Sequence, residues 1–157
     1  MRVLNNNYGT HIHPLTVAVL RTSGAVVELG MGDYSTPVLH EICKLQGRLM
    51  LSYEKDLTWL ENFIDLESDS HKIRHNETWD EYPIDCGVVF VDQSPAEYRQ
   101  KSIEKYRNFA KIIVVHDTEK KNFYGYDFSG FKYKYEYKRY RKETTLLSNH
   151  IDVSELF

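Results

Sequence analysis

The sequence predicts a three-layer α/β fold: a mostly parallel sheet, helices on both faces, and an antiparallel hairpin added at the C-terminal end. Three observations predict it. Short, β-branched apolar runs such as Ala25–Leu29 and Cys86–Val91 read as strands buried on both faces. Amphipathic stretches of helical length separate them, which calls for parallel βαβ units. The tail then changes character. Phe131, Tyr133, Tyr135 and Tyr137 alternate with Lys132, Lys134, Glu136 and Lys138, and no helix of useful length divides them from the apolar stretch 144–153, so the two pair as a hairpin.

Length and composition fit one domain. The 157 residues, 41% apolar and 27% charged, are enough to bury about two-thirds of the surface without disulfides or a structural metal. A formal net charge of −3 and a pI near 6.2 give no global basic field for nucleic acid or an anionic membrane. Cys43 and Cys86 form no CxxC pair and no zinc spacing, so the protein reads as reduced, intracellular and cytoplasmic. The N-terminal region lacks the apolar run of a signal peptide, and no stretch of ~18 apolar residues marks a membrane span. With no repeat and no low-complexity linker, residues 1–157 are treated as one unit carrying an N-terminal arm, 1–12.

The elements follow in order. His13-Pro14 precedes a short helix ending at Ser23-Gly24, with Pro14 in its first turn. After the strand Ala25–Leu29, residues 36–45 carry Val38, Leu39, Ile42 and Leu45 at helical spacing. Ser35 or Thr36 is the N-cap and Gly47 the stop. Residues 48–53 form a second strand, and 57–66 a helix with Leu57, Leu60, Phe63 and Ile64 on one side. His71–His75 is a weak third strand and Cys86–Val91 a strong fourth. Residues 95–110 are a helix, and 111–115 a fifth strand ending at His116-Asp117.

In an open parallel sheet, ligands bind beyond the carboxyl ends of the strands. Beyond the first strand lies Gly30-Met31-Gly32-Asp33-Tyr34-Ser35, whose glycines let the backbone turn sharply and approach a ligand ahead of a helix. A dinucleotide fingerprint wants Gly or Ala where Ser35 stands, so a tight structural turn is an equal reading of these residues alone. Glu54 ends the second strand 22 residues past Gly32, where a carboxylate can accept from both ribose hydroxyls or simply be solvated. Glu28 sits inside an apolar strand and needs loop amides or a ligand amine to satisfy it.

VVELGMGDYSTPVL followed by LSYEKD resembles motifs one and two of the class I S-adenosylmethionine-dependent methyltransferases, and VVFVDQSP and IIVVHDTE resemble the ends of that family's fourth and fifth strands. The resemblance spans about residues 13–155. It implies a Rossmann-like, seven-stranded sheet and S-adenosylmethionine as cofactor. It further implies that Glu28 and the loop with Gly30, Gly32, Asp33 and Ser35 hold the methionine end. Glu54 would take the ribose. Thr78 and Trp79 would lie near the adenine, Trp79 as a stacking face, and the arm Tyr8-Gly9-Thr10-His11 would fold over the cofactor.

For the reaction, two versions stay open. Asp92 and Asp117 resemble the carboxylate pair that binds a divalent cation in metal-dependent O-methyltransferases, which would suit Mg²⁺ with Thr118 or Glu119 as third ligand. Without metal, His116 or Asp92 would be the general base. Asp92 has a rival structural job, capping the next helix. His11 and His13, an HxH beside Pro14, have no further ligand at short spacing and read as incidental.

The basic run Lys132 to Lys142 reads as an edge strand protected by lysines, its tyrosines packed inward, in preference to a nucleic-acid surface. Asp92-Gln93-Ser94-Pro95 is not the Asp/Asn-Pro-Pro-aromatic motif of amino-methylating enzymes of nucleic acids, and no Pro-Cys nucleophile exists. The expectation is a methyltransferase for a small or partner-delivered acceptor, with homo-oligomer or partner protein open. The rivals are a non-catalytic cofactor-binding module, motivated by the short stretch between Asp117 and Phe131, and other chemistry on the same cofactor. A nicotinamide enzyme is weakened by Ser35 and the tail hairpin.

Overall fold

The structure, a computed structural model, describes residues 8–157, and the backbone alone at 120–122. The arm before Tyr8 lies outside the described residues. The sheet has seven strands in the order β3-β2-β1-β4-β5-β7-β6. These are β1 (Ala25–Leu29), β2 (Met50–Glu54), β3 (His71–His75), β4 (Cys86–Val91), β5 (Ala110–His116), β6 (Tyr133–Tyr137) and β7 (Thr144–Ser148). The first five are parallel, and β7 inserts antiparallel between β5 and β6.

Helices cover both faces. On one side α1 (Ile12–Leu20) and α2 (Thr36–Gln46) pack Leu15, Val19 and Leu39 on Val26, Val88, Phe90 and Val114. On the other, α4 (Arg99–Tyr106) packs Ile103 and Tyr106 on Val27, Val89 and Ile113. Alternate residues of β1 and β4 therefore feed two cores, which is why both strands are apolar but for Glu28 in β1. Cys43 lies in one core and Cys86 in the other; both are free, and burial pushes their thiols up to about 11 and about 12.

Several boundaries differ from expectation. The first helix starts at Ile12, inside the span assigned to the arm. Arg48 is not in β2. Its guanidinium donates to the carbonyls of Val19, Thr22 and Gly24, tying the end of α1 to the start of β1. The helix expected over 57–66 is one turn, α3 (Leu57–Leu60), running into a 3₁₀ segment, Glu61–Leu66. Three residues per turn align Leu60, Phe63 and Leu66 on Met31 and Ile73, and leave Leu57 and Ile64 exposed. Likewise, 95–110 resolves into a 3₁₀ turn, Ala96–Tyr98, before α4. Between β5 and β6 the longest helix is the single turn α5 (Lys121–Tyr124).

The tail conforms to the edge-strand reading. Tyr133 and Tyr135 pack against the α1 core, Tyr135 stacks on Phe157 at 4.8 Å, and Lys134 and Lys138 pair with Glu136. Among the described residues no helix is long and apolar enough to cross a membrane.

Candidate functional site

Strand order reverses between β1 and β4, because β1 leads outward to β2 and β3 whereas β4 leads to β5. At such a switch point the loops diverge and leave a crevice beyond the carboxyl ends. A cavity of about 290 Å³ lies there, at the lower edge of the ~300–1,000 Å³ typical of small-molecule sites. The arm gives it Tyr8, Gly9 and His11; the loop after β1 gives Gly32, Asp33, Tyr34 and Ser35. Trp59 of α3, Asp92 after β4 and His116 at the end of β5 complete the wall.

The loop is held from beneath. Glu28 is fully buried, and its carboxylate accepts from Ser35 Oγ at 2.6 Å, Ser52 Oγ at 2.7 Å and Thr36 Oγ1 at 3.1 Å. The partners that satisfy it are thus three hydroxyls and not loop amides. Burial raises its carboxyl to about 7, against the lowering effect of those hydroxyls. Ser52 Oγ also meets His71 Nε2 at 2.9 Å, and His71 Nδ1 meets His40 Nδ1 at 3.0 Å.

The two glycines have different jobs. Gly30 has φ +89°, and a Cβ there would lie 2.6 Å from the Gln93 backbone, so it is required for the close approach of two loops. A Cβ on Gly32 would meet only Ser35 Oγ at 3.5 Å, ordinary contact, on the cavity side. Glu54 accepts from the backbone N–H of Met31 at 3.0 Å, Lys55 at 2.8 Å and Asp56 at 2.9 Å. It braces the same loop.

Two expected cofactor residues stand elsewhere. Trp79 is 1% exposed, in the core with Tyr106 and Val89, so its ring offers no open face for stacking; its left-handed φ of 54° turns it inward. Thr78 is exposed and does not line the cavity. The aromatic surfaces at the cavity include Tyr8, Tyr34 and Trp59, the last fixed by its Nε1–H donating to the Met31 carbonyl at 2.8 Å.

On the rim, Asp92 does not cap a helix. Its Oδ1 takes the Arg99 guanidinium at 3.0 Å and its Oδ2 meets His116 Nδ1 at 3.2 Å. Arg99 is 6% exposed and also donates to the carbonyls of Asp92, Gln93 and His116. Asp117 turns away with φ 57°, Oδ1 on Lys142 Nζ at 3.0 Å and Oδ2 3.7 Å from Arg99. Burial works to raise its carboxyl, but His116, Lys142 and Arg99 outweigh that and hold it below the ordinary range. With an arginine set between the two carboxylates and a lysine on the second, the pair Asp92 and Asp117 does not fit a Mg²⁺ ion.

The HxH motif splits. His13 meets Tyr137 Oη at 2.7 Å on the tail side, whereas His11 turns into the cavity against His116 at 4.4 Å between ring centres and Phe90 at 4.9 Å. Sequence reasoning placed His11 in the arm over the cofactor but set it aside as a ligand, and it missed Arg99, Tyr34 and Trp59. The one signal for Arg99 is a cation opening the helix that follows a strand-end aspartate.

This architecture, sheet order and switch-point cavity together, is the fold of the class I S-adenosylmethionine-dependent methyltransferases. A protein described as a caffeoyl-CoA O-methyltransferase from Staphylococcus aureus matches with a TM-score of 0.67 at 10% identity, over 92% of this chain and 85% of that one. One described as an O-methyltransferase from Klebsiella pneumoniae matches with a TM-score of 0.61 at 13% identity, over 95% of this chain and 83% of that one. TrmK of M. capricolum, solved with S-adenosylhomocysteine, matches with a TM-score of 0.59 at 11% identity, over 92% and 73%. No family model matches the sequence, and no curated protein matches it.

Proposed function

We propose that the chain binds S-adenosylmethionine in the cavity beyond β1 and β4 and transfers its methyl group to a small or partner-delivered acceptor. The observation that carries this reading is the juxtaposition, across one cavity, of the loop Gly32, Asp33 and Ser35 with the hydrogen-bonded pair Asp92 and His116. The cofactor supplies an electrophilic methyl on a sulfonium, so the protein has only to position, shield and deprotonate. Gly32 leaves room for the methionine end. Tyr34 and Trp59 give apolar walls, and the arm Tyr8, Gly9 and His11 closes the cavity with Gly9 packed against the Tyr34 ring. Glu28 and Glu54 act one layer back, holding the loop in shape. Asp92 and His116 stand where an acceptor would lose its proton, and Arg99 fixes Asp92 in place. In this reading 1–157 is one cofactor-binding domain working in the cytoplasm.

Calorimetric titration with S-adenosylmethionine, S-adenosylhomocysteine and NAD tests it. The first two are expected to bind with micromolar affinity and NAD not at all. Gly32→Val is expected to abolish that binding without changing the melting temperature, because a side chain there meets the cavity and no backbone. Failure of the wild type to bind either sulfur compound would end the reading.

A further inference from the structure

We propose that His11, Asp92 and His116 form a binding site for a divalent transition-metal ion, opening onto the cavity. One ligand atom from each lies within 4.8 Å of the others. His116 Nδ1 and Asp92 Oδ2 are 3.2 Å apart, the separation of two adjacent ligand atoms each ~2.1 Å from one metal. An independent observation comes from His11. It is 5% exposed, and neither of its ring nitrogens has a hydrogen-bond partner among the described residues. A buried imidazole with both nitrogens orphaned is costly, and an ion would supply a partner for the nitrogen that bears the lone pair.

The surroundings match a metal site's outer layer. The other nitrogen of His116, Nε2, meets Thr10 Oγ1 at 3.0 Å, which orients the ring; with Nε2–H donating to Thr10, Nδ1 would carry a lone pair toward the ion in place of its contact with Asp92. The other oxygen of Asp92 is held by Arg99 at 3.0 Å. Two imidazoles and one carboxylate select zinc, iron, cobalt or manganese over Mg²⁺ or Ca²⁺. Three protein ligands would leave coordination positions open, and the same cavity is lined by Ser35 and Tyr34. The site rests on its own geometry. Its consequence, that an acceptor hydroxyl or thiol would bind there and be acidified, rests on the methyl-transfer reading above.

The test is titration of the EDTA-dialysed full chain with Zn²⁺ by calorimetry and with Co²⁺ by visible absorption. One equivalent of each is expected to bind, cobalt with visible ligand-field bands. His11→Ala and His116→Ala are each expected to weaken binding by more than roughly 100-fold, beyond what loss of an outer partner costs, while His13→Ala leaves it unchanged. Circular dichroism confirms that each variant is folded. No saturable uptake by the wild type overturns the proposal, as does uptake unchanged in both His11→Ala and His116→Ala. S-adenosylhomocysteine binding by the metal-free chain is read separately, so failure of the metal site and failure of the cofactor reading are distinct results.

Discussion

At the N-terminal ends of β1, β4 and β5 the surface opens into a hollow of about 670 Å³, flanked by Gly24, Asp85, Phe109 and Lys111. At the C-terminal ends the cavity is less than half that size, about 290 Å³. Yet the side chains at the larger opening are mostly exposed, and Lys111 reaches no more than Ser23 Oγ at 3.4 Å. At the smaller one Tyr8, Asp33, Tyr34 and Trp59 are exposed too, but His11, Ser35 and His116 are buried, and Asp92 and His116 are tied to the buried Arg99 and Thr10 behind them. Space alone misjudges where chemistry resides. Convergent, desolvated polar groups mark it, because burying them is costly unless each has a partner or a ligand.

This contrast can be broken or sharpened. The largest effect is expected from Arg99→Met, which strands Asp92 and Asp117 without their shared guanidinium. A loss of about 3–5 kcal/mol is expected in urea denaturation. A loss under 1 kcal/mol, on the scale of an ordinary surface change, would show that the rim is not held by that residue.

Next comes Glu28→Gln. Burial raises the Glu28 carboxyl from 4.5 to about 7, so the folded protein keeps a proton that the unfolded chain releases between those values. The stabilisation is complete below the unfolded value and is lost as pH rises through about 7. Gln has no charge to bury, so the variant should gain on the wild type by about 3 kcal/mol across that window. Comparing the two cancels the opposite contribution of His11 and His71, which burial lowers to about 4 and which destabilise as pH falls below the usual imidazole range. A pH-independent difference would refute the buried-acid assignment.

Glu54→Ala should cost about 1–3 kcal/mol by orphaning three backbone N–H groups and should also weaken S-adenosylhomocysteine binding, seen by thermal melting and calorimetry. Lost affinity without lost stability would mean that Glu54 is a direct ligand and not a brace. The smallest effect belongs to the opposite end. Lys111→Ala should change stability by no more than about 0.5 kcal/mol and leave cofactor affinity unchanged.

Much of the fold was legible in the sequence because strands buried on both faces cannot hide: β1 and β4 lie where their apolar runs place them, and the weaker edge strand β3 also lies where it was expected. Helix ends were less legible, since whether Leu57 is covered depends on what Met31 and Ile73 leave room for. In the site, the glycine spacing located the loop, and strand ends located Asp92 and His116. Trp79 misled because its burial follows from a left-handed backbone that no local pattern announces. Arg99 was invisible for a similar reason, since its partners come from β4, β5 and the turns beyond them, and exist as a set only once the sheet has formed.

The row of hydrogen bonds from Glu28 through Ser52 and His71 to His40 has a polarity of its own. With Glu28 ionised, Ser52 donates to it and accepts from His71 Nε2–H, so His71 Nδ1 must accept from His40 Nδ1–H. A proton on Glu28 Oε2 reverses every link, and His40 then carries its hydrogen on Nε2 instead. The tautomer of His40, on the inner side of α2, thus reads out the charge of a carboxylate that water does not touch, as a ring-nitrogen signal that magnetic resonance can follow.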